Sequence, residues 1–221
     1  MIKKLYYLLI IELFSNAPFA KAQKNIDIAK LHASGKLEIV NRKVDASIQN
    51  GTVFLKVIEN GGECLIWLPV NNFENGTITI QMRGKDVPQR SFIGIAFHGQ
   101  NNKTYDAVYC RPFNFLSVDS AKRSHAIQYI SHPTYTWEKL RSEQDGIFEK
   151  EISEPPNPND WFTMTIVIDQ NKVKAYINQS KTPAVVVNKL NNKQDGKIGI
   201  FMGDRSGGDF KYMTISKKTK I

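Results

Sequence analysis

The chain has 221 residues, 41% of them apolar and 23% charged, a balance that suits a folded globular body and excludes a fibrous or disordered one. Its formal charge of +9 comes from 30 lysines and arginines against 21 acids. The lysines are scattered through turns and a basic run at 217–220, with no basic helix or aromatic-and-basic motif, so nucleic acid is not an expected partner.

The first predicted element is a leader. Lys3 and Lys4 precede an apolar stretch at 5–14, and Ala20-Lys21-Ala22 has the small-x-small form of a cleavage site. Residues 1–22 are therefore predicted to be a secretory signal peptide and 23–221 a single β-sandwich domain, exported to the periplasm, the medium or the cell envelope. Glu12 interrupts the apolar stretch, which is shorter than the about 20 residues that span a bilayer, and no later segment qualifies.

Strand signals fill the remainder at 37–44, 53–58, 64–68, 77–83, 92–98, 105–111, 125–130, 161–169, 172–178, 197–202 and 210–216, most of them alternating apolar with polar residues. Turn formers such as Asn50-Gly51, Asn60-Gly61-Gly62, Asn75-Gly76 and Asp195-Gly196 separate them. The pattern predicts an all-β fold, a two-sheet antiparallel sandwich. Residues 136–142 read as a helical turn and the proline-rich 154–160 as a loop, which makes 131–160 the largest irregular insertion and the expected place of a rim or lid. Cys64 and Cys110 lie in apolar runs and read equally as a disulfide or as two buried thiols. There is no Cys-x-x-Cys, and His32, His98, His125 and His132 are too scattered for a zinc motif.

Period two divides each strand between two faces. Ile93, Ile95 and Phe97 belong to the core, which leaves Gly94, Ala96 and His98 on the other face as a trough. By the same parity Tyr105, Ala107, Tyr109 and Arg111 oppose Val108 and Cys110, while Thr79, Gln81 and Arg83 oppose Ile78, Ile80 and Met82. Pro112 ends its strand and leaves Asn114 at the rim. In 125–130, Gln128 is assigned to the groove and His125 to the interior. Arginine, tyrosine and amide side chains pair with sugar hydroxyls, and aromatic rings such as Trp137 pack on sugar C–H faces. The predicted binding set is Arg83, His98, Tyr105, Tyr109, Arg111, Asn114 and Gln128, with Trp137 at the rim.

The segments 73–78, 92–97, 109–112, Trp161-Phe162 and 196–200 together resemble the concanavalin A-like lectin/glucanase superfamily, in particular its laminin-G-like and 3-keto-disaccharide hydrolase-like exported domains of Bacteroidetes type. That resemblance implies a jelly roll whose concave sheet meets glycans. The Glu-x-Asp-x-x-Glu strand of the family 16 hydrolases is absent, and the nearest carboxylates are Glu138, Glu143, Glu149 and Glu151. Glycan binding is the leading expectation. A glycoside hydrolase using Glu138 or Glu149, with His98 as acid or base, is the second, and a structural or protein-binding envelope domain the third. The superfamily often uses calcium, but the glycines around Asp204 and Asp209 are explained by a turn, so neither a metal nor a cofactor is predicted.

Overall fold

The computed structural model describes residues 23–218; the predicted signal segment 1–22 lies outside them. The strands are β1 (Gln23–Asp27), β2 (Glu38–Val40), β3 (Val44–Gln49), β4 (Thr52–Val57), β5 (Cys64–Trp67), β6 (Gly76–Arg83), β7 (Ile93–Asn101) and β8 (Thr104–Cys110). They continue with β9 (Ile127–His132), β10 (Glu149–Lys150), β11 (Phe162–Asp169), β12 (Lys172–Ile177), β13 (Val185–Asn188), β14 (Lys197–Met202) and β15 (Gly208–Lys217). Three short helices join them: α1 (Ile28–Ala33), α2 (Ser120–Arg123) and α3 (Trp137–Glu143).

The first sheet has the order β13-β12-β11-β6-β15-β4-β3, with β1 on the free half of β15; the second has the order β10-β9-β8-β7-β14-β5-β2. Every pairing is antiparallel. The fold is the expected open two-sheet sandwich.

Burial distinguishes the sheets. In β6 and β11 each buried residue is followed by a half-exposed one, so Ile78, Ile80, Met82, Met164, Ile166 and Ile168 fill the space between the sheets while the other face meets solvent. In β7, β8, β9 and β14 nearly every residue is buried, because this sheet is covered on both faces. Its second cover consists of its own large rings, Trp67, Tyr105, Tyr109 and Phe201, together with the loops that follow β8 and β9.

The predicted single strand at 37–44 is two strands in different sheets. Asn41 turns the chain with φ +59, and Arg42 spans the break, donating to the carbonyls of Asn41, Gly61, Gly62, Gly203 and Ser206. Alternation carries through such a crossover without a mark, which is why the sequence shows one run.

Cys64 and Cys110 are both buried, free thiols. Each belongs to one row of aligned residues, in which Cys64 faces Met202, Met202 faces Ile93 and Ile93 faces Cys110. Three strand spacings separate them by about 14 Å, twice the roughly 7 Å that a disulfide can bridge.

Candidate functional site

A cleft of about 880 Å³ opens on the outer face of the second sheet. Tyr109 of β8 and Phe201 of β14 form part of its floor, with ring centroids 5.1 Å apart. Its walls come from 86–92, from the segment after β8, from α3 and from 203–205.

Arg111 sits where β8 ends, because Pro112 cannot continue the ladder and opens a 3-10 turn over Pro112–Asn114. The residue is 3% exposed, and its guanidinium donates to the His125 carbonyl at 2.7 Å, to the Tyr109 hydroxyl at 2.9 Å and to Gln128 Oε1. Tyr109 in turn donates to Gln128 Oε1 at 2.8 Å. Burial pushes the Tyr109 phenol up to about 12, so it remains a hydrogen-bond donor at neutral pH.

Glu149 arrives through β10, whose pairing sets it against Gln128. It is 2% exposed and accepts two bonds from Arg141 of α3, each 2.7 Å long. Arg111 Nη1 lies 3.5 Å from its Oε2, and His125 Nδ1 lies 2.9 Å from the same oxygen. Burial disfavours the Glu149 charge, yet the Arg141 bonds and the charges of Arg141, Arg111 and His125 outweigh it and hold the carboxyl below its ordinary range. His125 Nδ1 is buried and lies off the line of a hydrogen bond, while the exposed part of the ring lines the cleft. The side chain is thus not the interior residue its strand pattern suggests: β9 starts only at Ile127, and His125 belongs to the turn before it.

Trp137 opens α3 behind its cap, Thr136, whose hydroxyl accepts from Lys139 N. The indole is 40% exposed and lies under the Arg141 guanidinium, 5.0 Å from ring centroid to Cζ. Glu138 lines the same cleft without an ion pair among the described residues.

A sequence profile described as the 3-keto-alpha-glucoside-1,2-lyase-like domain matches residues 25–216. The chain belongs to this family. Three solved structures share the architecture of this chain. A protein of unknown function with a galectin-like fold from Bacillus subtilis superposes with a TM-score of 0.59 at 9% identity, covering 90% of this chain and 96% of that one. The carbohydrate-binding module CBM66 from Bacillus subtilis gives 0.56 at 12% identity, with 83% and 96% covered. The exoplasmic/lumenal domain of VIP36 in its calcium- and mannose-bound form gives 0.60 at 8% identity, with 89% and 91% covered. At these identities the likeness establishes the fold, a concanavalin A-like sandwich. A search of curated proteins finds no match.

The two carboxylates of the glycine-rich 204–209 loop already have partners. Asp204 accepts from Gly62 N at 2.6 Å and from Arg205 Nε at 3.0 Å, whereas Asp209 is committed to Arg83. Among the described residues no cluster of three or more His, Cys, Asp or Glu side chains is placed to hold a metal ion.

The structure brings Tyr109, Arg111, Asn114, Trp137 and Glu138 to one cleft, with Gln128 and Glu149 directly behind them. Two predicted members belong elsewhere. Arg83 lies in β6, in the other sheet, where it pairs with Asp209 at 2.7 Å and stacks on Trp161. Parity assigns a face but not a sheet, and the chain changes sheets between β6 and β7. His98 is fully buried: an irregularity between Phe97 and Asn101 and its own φ of +50 turn the ring inward, where Nε2 bonds the Glu74 carbonyl at 2.8 Å. His98 is therefore not an acid or base for this cleft. Tyr105 is on the cleft side of β8 but sealed, stacked on His132 and donating to Glu63. Glu151 is taken by Arg123 and Glu149 by Arg141, so the two do not form a carboxylate pair.

The expected trough is also filled. A Cβ on Gly94 would strike Tyr109, and on Gly99 or Gly199 it would strike the Trp67 ring, so the small residues make room for aromatic neighbours. His125, Arg141 and Phe201 were missed. Only Arg141 carried a usable signal: it follows Trp137 by four residues within a predicted helical turn, the spacing that stacks a cation on a ring.

Proposed function

We propose that the cleft is a carbohydrate-binding site in which Trp137 offers a ring to a sugar C–H face and Arg141, His125 and Asn114 offer hydrogen bonds to its hydroxyls. The observation that carries this is the half-exposed Trp137, oriented by Arg141, beside a polar cluster on an aromatic floor. Indole stacking with adjacent donors is the chemistry that a sugar ring requires. Family membership supports it, as do a carbohydrate-binding module and a mannose-bound exoplasmic/lumenal domain among the structural neighbours. The leader-like pattern at 1–22 supports export.

The second reading is elimination, and the placement of His125 beside Glu149 favours it. In a 3-keto glucoside the carbonyl acidifies the proton on C2. A base that removes this proton leaves an enolate, whose electrons form the C1–C2 double bond as the C1–O bond breaks and the leaving oxygen takes up a proton. His125 is the candidate base, with its Nδ1 beside the ionised Glu149, and Arg141 is a cation close to the developing charge.

Trp137→Ala and His125→Gln test these readings, because both side chains reach the surface of the cleft. Glycan-array binding followed by titration should find Trp137→Ala weakened about two- to tenfold. In an assay for enone absorbance from a 3-keto glucoside, His125→Gln should lose about a hundredfold or more in turnover, well beyond the modest loss of binding that one missing hydrogen bond causes. Binding that ignores Trp137 would place the sugar elsewhere. Turnover that survives His125→Gln would remove it as the base.

A further inference from the structure

Three of the large apolar side chains that the described chain exposes line this one cleft: Leu116 at 58%, Val118 at 100% and Trp137 at 40%. The exposure of Leu116 and Val118 is built in. Arg123 donates to the carbonyls of Ser117 and Val118 and is itself held by Glu151, while Asp119 caps α2. The segment is thus fixed with its aliphatic side chains outward, against the hydrophobic preference of both.

The cleft is divided chemically. Charged hydrogen-bonding groups gather at Arg111, His125 and Arg141, whereas the wall after β8 presents Phe113, Leu116 and Val118 interspersed with Asn114, Ser117 and Lys122. At about 880 Å³ the cleft lies near the top of the roughly 300–1,000 Å³ range of small-molecule sites, more than one hexose fills. A second sugar ring laid on Leu116 and Val118 would set most of its hydroxyls against aliphatic groups, with the Ser117 hydroxyl between them already accepting from Asp119 N, while an aromatic ring there would bury apolar surface on both sides.

We infer that the cleft selects glycosides with an apolar, aryl aglycone, the sugar lying at Trp137, His125 and Arg141 and the aglycone on Leu116 and Val118. This rests on the carbohydrate reading of the cleft and adds the chemistry of the group attached to the sugar.

Paired titrations with methyl α-glucoside and phenyl α-glucoside, followed by NMR, test it on the protein and on the double variant Leu116→Ser/Val118→Ser. Both side chains are on the surface, so the variant keeps the fold, which its melting temperature verifies. The phenyl glucoside should bind about tenfold more tightly than the methyl glucoside, and the double variant should bring the two within about twofold while leaving the methyl glucoside unchanged. Equal affinities in the unaltered protein would overturn the aglycone site and leave carbohydrate binding standing. A phenyl preference that survives the double variant would also overturn it. Absence of binding by both glucosides, with Trp137→Ala silent on the glycan array, would overturn both.

Discussion

His98 and Asp106 show how one side chain turned the wrong way changes the chemistry of an interior. Both are fully buried, with His98 Nδ1 3.9 Å from Asp106 Oδ2, an oxygen that has no hydrogen-bond partner. Tyr129 donates to Asp106 Oδ1, and Lys189 Nζ lies 3.2 Å from His98 Nδ1. Burial raises the Asp106 carboxyl to about 6 against the bonds from Ser131 and Tyr129; burial and the Lys189 ammonium lower His98 to about 4. The two therefore act on stability in opposite directions. The His98 contribution is complete above pH 6.5 and is lost as pH falls towards 4, while that of Asp106 is complete below pH 3.8 and is lost as pH rises through 6. Asp106→Asn removes the second contribution and leaves the first. Melting temperatures measured from pH 7.5 to 4.5 should fall more steeply for the variant than for the unaltered protein, and parallel curves would mean that Asp106 does not change its charge across this window.

At the scale of elements, small residues in β7 and β14 are packing devices. Gly94 accepts the Tyr109 side chain against its backbone, and a Cβ there would lie 2.1 Å from the Val108 carbonyl oxygen, which belongs to a paired strand and cannot withdraw. Gly94→Ala should destabilise the protein by at least about 1–3 kcal/mol in a denaturant titration, whereas a free trough would accept the methyl group without loss. The same strands show which parts of the fold were legible. Strands β6 and β11 announce themselves by clean alternation, because one face meets solvent and the other the core. In β7 and β8 parity still sorted the core face correctly, Ile93, Ile95, Val108 and Cys110 among it. What parity could not express is the partner sheet, which displaced Arg83, or a local twist, which displaced His98. Tyr109, Arg111 and Asn114 share a cleft because they are near neighbours at one strand end, a relation that the sequence does display. His125 and Arg141 join them only through the pairing of β9 with β10, a contact between segments far apart in pattern and short in length.

For the whole molecule, the second sheet is the rigid body on which the cleft is mounted, and its cohesion comes from packing without a covalent link. The row Cys64, Met202, Ile93, Cys110 crosses four adjacent strands inside the core, so each thiol contributes as a small apolar group. Burial pushes the Cys64 thiol up to about 12 and raises Cys110 as well, which suppresses the thiolate that oxidation and alkylation require. Two cysteines behind a leader-like segment invite the assumption of a disulfide, and the geometry opposes it. Thiol titration of the native protein with a disulfide reagent should detect no reactive group, and titration in strong denaturant should detect two. The melting temperature should be the same with and without reductant. A bridge would instead leave no thiol under either condition and would lower the melting temperature on reduction, and it would require β5 and β8 to meet across the two strands that now lie between them.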